Sequence, residues 1–254
     1  MKNILSNVTK PIVPWLVPSF ILLCWQLFSW FHLIPERILP SPLAVLAAAY
    51  KLLVTGELMD HMLISLGRAL IGFVIGGAIG FILGLVNGIF RHAELFLDTS
   101  IQMIRNIPHL ALIPLVILWF GIDETAKIFL VALGVLFPVY INTYHGIKSV
   151  DKGLIEMGKA YGLKGKLMFF HIILPGAMSS ILVGLRFSLG VMWLTLIVAE
   201  TISTHVGIGY MAMNAREFMQ MDVIVLSIII YALFGKFSDM IARFFERKLL
   251  HWNA

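Results

Sequence analysis

Charged side chains are scarce in this sequence. Asp, Glu, Lys and Arg make up 13% of its 254 residues, whereas hydrophobic residues make up 59%. A soluble domain usually has about 25% charged residues, so this chain has too little polar surface to cover a water-soluble globule. Together with a mean hydropathy of +0.93, the composition predicts an integral membrane protein that contacts a lipid bilayer.

The sequence also lacks the residue patterns of an enzyme or a metal site. Its one cysteine, Cys24, lies in an apolar run and allows no intrachain disulfide. HExxH, CxxC and GxSxG are missing, and no two of the eight histidines stand four residues apart. Gly165-Lys166 is not part of a P-loop, because Ala160 and Leu167 occupy positions where that motif needs Gly and Ser or Thr. We therefore expect no catalytic residue, metal or bound cofactor on this chain, and energy from ATP has to come through another chain.

Six apolar segments reach the length of about 20 residues that crosses a bilayer. The predicted fold is therefore all-α and polytopic, with about six transmembrane helices. The first segment is too long for the apolar core of a cleaved signal peptide. Residues 43–60 are expected to form a short amphipathic helix on the outer surface, and Pro108 and Pro114 to kink the third span. The six spans are residues 12–31, 64–90, 94–120, 126–146, 177–198 and 222–242.

The second span carries a glycine at every fourth position, at residues 72, 76, 80, 84 and 88. Small residues at this spacing let a second helix backbone approach closely. Two interpretations remain open from the sequence. The glycines form either a mobile face on the pore side of the helix or a static helix-packing face.

The basic residues indicate an orientation in the membrane rather than a nucleic-acid partner. The net charge is +5, but no basic stripe on a soluble body accompanies it. Cytoplasmic loops of membrane proteins collect Lys and Arg. One side of the six-span arrangement receives eleven of the 19 Lys and Arg residues, and the other side receives five. Both termini and the loop at 148–175 are therefore predicted to be cytoplasmic, with 32–63 and 199–221 outside.

The loop at 148–175 separates the fourth and fifth spans. Residues 150–161 can form an amphipathic helix that ends near Gly162, where a positive φ is favourable. A second short helix is expected at 167–173, with Pro175 starting the fifth span. From these residues alone, the loop is either a helix–turn–helix surface with a function or an ordinary basic cytoplasmic loop.

Glu156, Gly162, Ile172, Leu174 and Pro175 have the spacing of the EAA loop, and here the chain resembles the permease subunits of ABC importers. The resemblance implies a type I permease fold whose loop contains a coupling helix for a separate ATPase. Met157 and Gly158 depart from this pattern, in which alanines are usual. The ATPase-coupling residues implied are Glu156, Met157, Gly158, Ala160, Gly162, Leu174 and Pro175.

Other stretches resemble the nitrate, taurine and sulfonate branch of these permeases. They are RILPSP at 37–42, RNIPHLALIPLVILWFGI at 105–122, FPVYINTYHGI at 137–147 and LTLIVAETIS at 194–203. Within that branch the chain looks most like the importers of aliphatic sulfonates, with taurine, nitrate or another small solute as the alternative substrate. The resemblance divides the chain into an N-terminal span with an external linker (1–60), a permease core (61–245) and a cytoplasmic tail (246–254).

The resemblance also implies partners and a location. The partners are a second copy of the chain, two cytoplasmic ATP-binding subunits that hold the ATP, and an external solute-binding protein. The location is the inner membrane of a bacterium. The external segment 199–221, with Gly207-x-Gly209 followed by Tyr210 to Phe218, suits a short helix that dips back towards the pore and offers a docking surface. An ion-coupled secondary transporter is the alternative class, but it would show paired intramembrane carboxylates or repeated broken helices.

Ionisable and polar groups at membrane depth are candidates for the translocation path, because burying them is costly. These candidates are Arg105, Asn106, Arg186, Thr195 and Glu200. A cationic group on the path would suit an anionic sulfonate. The alternative is that Arg105 pairs with Asp98 or reaches the inner surface, and that Arg186 lies near the cytoplasmic end of its span.

Overall fold

The protein is helical throughout the part of the chain described by a computed structural model, residues 2–31, 33–202 and 204–250. The first three helices are α1 (Lys2–Trp30), α2 (Pro42–Val54) and α3 (Glu57–Ile89). The middle of the chain forms α4 (Arg91–Arg105), a 3₁₀ turn (His109–Leu112), α5 (Ile113–Phe120) and α6 (Glu124–Lys148). The remainder forms α7 (Lys152–Ala160), α8 (Gly165–Met168), a π-helical segment (Phe169–Ile173), α9 (Leu174–Ile202), α10 (Ile208–Glu217) and α11 (Met221–Leu249).

Four helices are long and apolar enough to cross a membrane, namely α3, α6, α9 with its N-terminal extension, and α11. The pair α4 and α5 raises this number to five if it is counted as one bent span. The apolar part of α1, Leu16–Trp30, is shorter than 18 residues and is the candidate for a sixth. The predicted polytopic all-α fold is confirmed, and six is an approximate number of spans.

Helix α6 is central because α3 and α9 pack on it from either side. The glycines of α3 face α6: a Cβ at Gly72 would lie 2.7 Å from Val131 Cβ, and one at Gly84 would lie 2.7 Å from Thr143 Cβ. A Cβ at Gly76 would meet the carbonyl oxygen of Ala132. The glycine series is therefore a helix-packing face within one subunit, which favours the static interpretation.

The third predicted span is not one continuous helix. α4 and the segment His109–Phe120 meet at an angle of 79°. Pro108 follows the last residues of α4, and the chain leaves the helical conformation there. Pro114, by contrast, lies in the first turn of α5, where its missing N–H costs no hydrogen bond. Only Pro108 therefore interrupts the span, and the expected kink at Pro114 is wrong.

Pro175 does not begin the fifth span. The helix runs without interruption over the 38 residues Gly165–Ile202. The N–H of Leu174 donates to the carbonyl oxygen of Phe169, five residues earlier, within a π-helical turn. A proline inside an α-helix normally clashes with the carbonyl four residues back. The wide turn before Pro175 lets the helix continue past it, which the sequence prediction did not anticipate.

Candidate functional site

The predicted coupling segment, residues 150–175, presents an apolar surface to solvent. Leu154, Met157 and Tyr161 of the α7 region are 46%, 49% and 82% exposed, and Leu167 and Phe170 lie on the following turn with 57% and 59% exposure. Monomeric soluble surfaces rarely leave such clusters uncovered. Here the cluster lies at the end of a helix pair that the charge count predicts to be cytoplasmic, which is a suitable place for a protein partner.

Gly158 explains one departure from the EAA pattern. It is the buried residue of α7. A Cβ at this position would meet the Cδ1 atom of Ile172 and would lie 3.1 Å from the Sδ of Met168. The larger side chains of Met168 and Ile172 therefore occupy the space that an alanine methyl needs. Gly158 is the point at which α7 is packed onto the beginning of the long helix.

Gly162 turns the chain after α7. Its φ is +79°, in the region that favours glycine, as the sequence predicted. Its N–H donates to Lys159 O at 2.9 Å, and the N–H of Leu163 donates to Gly158 O at 2.9 Å, so the last carbonyls of α7 are satisfied. Of the other predicted coupling residues, Glu156, Met157 and Ala160 are exposed, and Leu174 and Pro175 are half-buried at the start of α9.

A buried ion pair stands at the opposite end of α9. Glu200 is 1% exposed and Arg68 is 4% exposed. Arg68 Nη1 donates to Glu200 Oε1 at 2.7 Å, and the Ser65 hydroxyl donates to the same carboxylate. The backbone N–H of Gly209 and the hydroxyl of Tyr231 each donate to Glu200 Oε2 at 2.9 Å. Every oxygen of this carboxylate is satisfied inside the protein.

Arg68 has further partners that extend this network. Its Nη2 donates to Glu124 Oε1 at 2.6 Å, and its Nη1 also donates to the carbonyl oxygen of Val206 at 2.6 Å. Lys127 Nζ lies 3.1 Å from Glu124 Oε1. Two cations and two carboxylates thus balance each other and join α3, α6, α9 and the chain leading into α10. Glu200, predicted as a translocation residue, lies within this closed network.

Arg186 also has carboxylate partners. Its Nε donates to Asp239 Oδ1 at 2.6 Å, and its Nη1 lies 3.6 Å from Glu246 Oε2. Both carboxylates are on α11, so the arginine joins α9 to α11. Arg186 is therefore paired, and together with Phe187 and Val191 it lines a pocket on α9.

Arg105 and Thr195 come together at a cavity between α4, α6 and α9. The cavity has a volume of about 390 Å³ and is lined by Arg105, His109, Gly134, Phe137, Pro138, Ile141, Asn142, Phe187 and Val191. Thr195 is buried beside it, with its Oγ1 2.9 Å from His109 Nε2. Asn106 is exposed at the end of α4 and does not line the cavity.

The suggested pair between Arg105 and Asp98 is not formed. Asp98 instead accepts hydrogen bonds from the Tyr140 hydroxyl at 2.8 Å and from Gln102 Nε2 at 3.3 Å.

Sequence reasoning missed His109 and Gly134 as members of the cavity. The signal for His109 was its position just after Pro108, at the break of a span that already contained Arg105. Within the described ranges, no group of three or more His, Cys, Asp or Glu side chains is placed to hold a metal ion.

Comparison with known proteins identifies similar transport proteins. Residues 76–251 match the family described as the binding-protein-dependent transport system inner membrane component. The chain is 62% identical over 242 residues to SsuC of Escherichia coli (strain K12), a protein named for aliphatic sulfonates transport, covering 95% of this chain and 92% of that one. It is 44% identical to the SsuC protein of Bacillus subtilis (strain 168), covering 94% and 86%. In fold it is similar to a chain in a crystal structure of an amino acid ABC transporter with histidines, with a TM-score of 0.65, 20% identity, and coverage of 79% and 97%.

Proposed function

Since this chain belongs to the family of binding-protein-dependent transport system inner membrane components, we propose that it is the permease subunit of an ATP-driven importer of aliphatic sulfonates. Family membership makes the chain a transport subunit and a multi-pass inner membrane protein with the type I ABC importer permease fold. The substrate class is supported by the relatives named for aliphatic sulfonates. Taurine, nitrate or another small anion is the alternative cargo.

The observation that carries the coupling role is the apolar surface of residues 150–175. Leu154, Met157 and Tyr161 are exposed there at 46%, 49% and 82%. A cytoplasmic ATP-binding subunit covers this surface in our proposal, and Lys159, Lys164 and Lys166 form a basic rim for acidic groups on that subunit. ATP is bound and hydrolysed on that partner, so this chain has no catalytic residue and no cofactor of its own.

A displacement of α7 can be transmitted to the outer end of α9 through one continuous helix. Gly158 packs against Met168 and Ile172, which belong to the helical run that continues to Ile202. The outer end of that run holds Glu200 in its ion pair with Arg68. A displacement of α7 by the ATP-binding subunit therefore moves α9. It also moves the Arg68–Glu200 ion-pair network, which holds the residues just before α10 in place.

The outer surface around α10 is suited to an external solute-binding protein. Phe218 and Met219 are 67% and 71% exposed in the turn between α10 and α11. Met219 has a φ of +58°, a strained conformation for a residue with a side chain. Beside it lies a cavity of about 460 Å³ that Lys51, Glu57 and Asp222 help to line. Apolar groups on a charged rim are typical of protein docking surfaces.

In the complete assembly two copies of the chain enclose the pore, with both termini in the cytoplasm. The experiment that tests the proposal is uptake into vesicles that contain the permease, its ATP-binding subunit and its solute-binding protein. We expect uptake of ethanesulfonate that requires ATP, resists ionophores and is competed by longer alkanesulfonates more strongly than by nitrate. Uptake that follows an ion gradient without ATP would establish a secondary transporter instead.

A further inference from the structure

The cavity between α4, α6 and α9 has the features of a small-anion site. Its volume of about 390 Å³ is within the range of small-molecule sites. Arg105 is the one permanently charged residue among its lining residues, and none of them is acidic. In the described part of the chain no salt bridge joins Arg105 to a carboxylate, whereas Arg68 and Arg186 are both paired. The cavity therefore presents an uncompensated positive charge.

The backbone beside the cavity is interrupted at the position of this charge. Helix α4 ends at Arg105, and the chain turns by 79° through Pro108 into the 3₁₀ turn. Non-helical backbone at membrane depth is tolerated where protein buries it or where it lines a water-filled cavity. Arg105 and Asn106 are exposed and not buried by the rest of the chain, and Arg105 and His109 line the cavity, so we assign the break to the second case. Broken helices of this kind form substrate sites in other transporters.

A second polar group is held in a fixed position by its neighbours. His109 Nε2 lies 2.9 Å from Thr195 Oγ1, so the ring is oriented and Nδ1 is left for another partner. A Cβ at Gly134 would lie 2.8 Å from Thr195 Oγ1 and 3.3 Å from His109 Nε2. Position 134 therefore has to lack a side chain for His109 and Thr195 to meet as they do.

The rest of the cavity lining, contributed by α6 and α9, is mainly apolar, and its polar member Asn142 donates to the carbonyl oxygen of Pro138. Phe137 and Ile141 of α6, and Phe187 and Val191 of α9, line it. A molecule that fits both walls has an anionic group at one end and a short hydrocarbon chain at the other. An alkanesulfonate has this form: three acceptor oxygens carry one negative charge, and the remaining atoms are apolar.

On the basis of the proposed function, we propose that this cavity is the permease's own binding site for alkanesulfonates, in which Arg105 and His109 contact the sulfonate and Phe187 and Val191 contact the alkyl chain. Binding is weak because Arg105 is exposed and water screens its charge. Weak binding suits a transport path, since a tightly held substrate would be released slowly. Nitrate has no alkyl chain for the apolar wall, and taurine would place an ammonium group against it, which is unfavourable.

Ligand-observed NMR tests the proposal because it detects weak binding. The permease and its ATP-binding partner are placed in lipid nanodiscs without the external binding protein, and the saturation transfer to butanesulfonate methyl protons is titrated. We expect Arg105→Gln to weaken binding about 3- to 10-fold, as is typical for loss of one charge-assisted contact. The matched control is Arg91→Gln, since Arg91 is exposed at the other end of α4 and outside the cavity. It should change binding less than about 2-fold.

Chain length provides a readout that general damage to the fold would not produce. Wild-type protein should bind butanesulfonate several-fold more tightly than methanesulfonate, because each buried methylene contributes about 0.8 kcal/mol at most. Phe187→Ala should reduce this ratio by at least half, whereas Leu194→Ala, on α9 but outside the cavity, should preserve it. Propanesulfonate should bind more tightly than taurine, which differs from it by an ammonium in place of a methyl group.

The NMR and uptake experiments distinguish failure of the proposed binding site from failure of the proposed transport function. Equal binding by wild type, Arg105→Gln and Arg91→Gln overturns the site, as does a chain-length ratio that Phe187→Ala leaves unchanged. Absence of binding to wild type in nanodiscs also overturns it, even when vesicles import sulfonates with the binding protein present. If wild-type vesicles import no sulfonate at all, the proposed function fails first, whatever the NMR titration shows.

Discussion

Arg68 Nη1 lies 2.7 Å from Glu200 Oε1, and both side chains are almost completely buried. The two residues are 132 positions apart in the sequence, so their contact fixes α3 against α9 in the folded protein. The charge of Arg68 is shared with Glu124, whose side chain is 51% exposed. One arginine therefore connects a carboxylate sealed in the core with one that reaches the surface.

Removing one partner of this ion pair should be costly. Glu200→Gln leaves a buried arginine without its fully enclosed carboxylate, and breaking a buried pair from one side typically costs about 3–5 kcal/mol. We expect a clear fall in the thermal unfolding midpoint in detergent. Arg186→Gln is the control, because its pair with Asp239 is partly exposed, with side chains 37% and 28% accessible. A shift for Glu200→Gln no larger than that of the control would contradict the structural role of the network.

Gly207 should tolerate no side chain. Its φ is +127°, and a Cβ there would lie 2.6 Å from Arg68 Nη1 and 2.6 Å from Glu200 Cδ. Gly207→Ala therefore adds a clash with the ion pair to a backbone strain of about 1–3 kcal/mol. Gly121→Ala isolates the strain, since Gly121 combines a positive φ of +74° with a ψ of −172°, close to the 166° of Gly207, and has open space around its Cβ position. The two unfolding midpoints, measured side by side, should show the larger decrease for Gly207→Ala.

The effect of replacing a helical glycine by alanine should depend on whether its Cα faces another helix. Gly76→Ala places a methyl group against the carbonyl of Ala132 in α6 and should lower the amount of folded protein in the membrane. Gly190→Ala, within α9, meets nothing within 4 Å. It should be neutral or stabilising by about 0.5–1 kcal/mol, because alanine is the better helix former. Fluorescence-detected size exclusion of the two variants measures the difference, and equal profiles would argue against tight α3–α6 packing.

A bulky residue at Gly162 should uncouple ATP hydrolysis from transport. A Cβ there meets nothing within 4 Å, so the new side chain projects into the space assigned to the ATP-binding subunit, and the positive φ adds roughly 1–2 kcal/mol of strain. Gly162→Leu should retain assembly but lose most ATP-driven uptake in vesicles.

Gly121→Leu is the matched control for this coupling test. Gly121 has a φ of +74° and open space, but it lies between α5 and α6, away from the coupling segment. With a ψ of −172° it lies in a region essentially restricted to glycine, so a side chain strains the backbone there as well, and transport should nevertheless stay coupled. Uptake that is undiminished in Gly162→Leu would remove the coupling role from this turn.

Tyr161→Ala should weaken the complex with the ATP-binding subunit. Tyr161 is 82% exposed at the end of α7, and aromatic anchors commonly dominate interfaces, with losses of about 2 kcal/mol or more on truncation. Tyr50, 72% exposed on α2, offers a control tyrosine away from the coupling segment. Co-purification of the partner should fall for Tyr161→Ala and stay unchanged for Tyr50→Ala. The opposite pattern would reverse the predicted orientation.

Local features of this chain could be predicted from the sequence, and features that depend on distant contacts could not. Gly162 was placed correctly because a positive φ after a short amphipathic helix is a local requirement. The contact of Glu200 with Arg68 could not be predicted, because the two residues are 132 positions apart and the sequence around a carboxylate near a span end does not show whether it faces water or an arginine. Pro175 suggests a helix start because no local sequence signal indicates the π-helical turn before it. Pro108 likewise predicts a break in the third span but does not determine its angle of 79°.

The uninterrupted helix from Gly165 to Ile202 also determines how far the coupling surface stands from the lipid. At 1.5 Å per residue its 38 residues extend about 57 Å. A bilayer with its headgroups is about 40–45 Å thick, so an upright helix of this length exceeds it by more than ten ångströms, and in the orientation that we propose the excess lies at the α7 end. In that arrangement the ATP-binding subunit of our proposal can bind α7 and displace α9 without contacting the membrane.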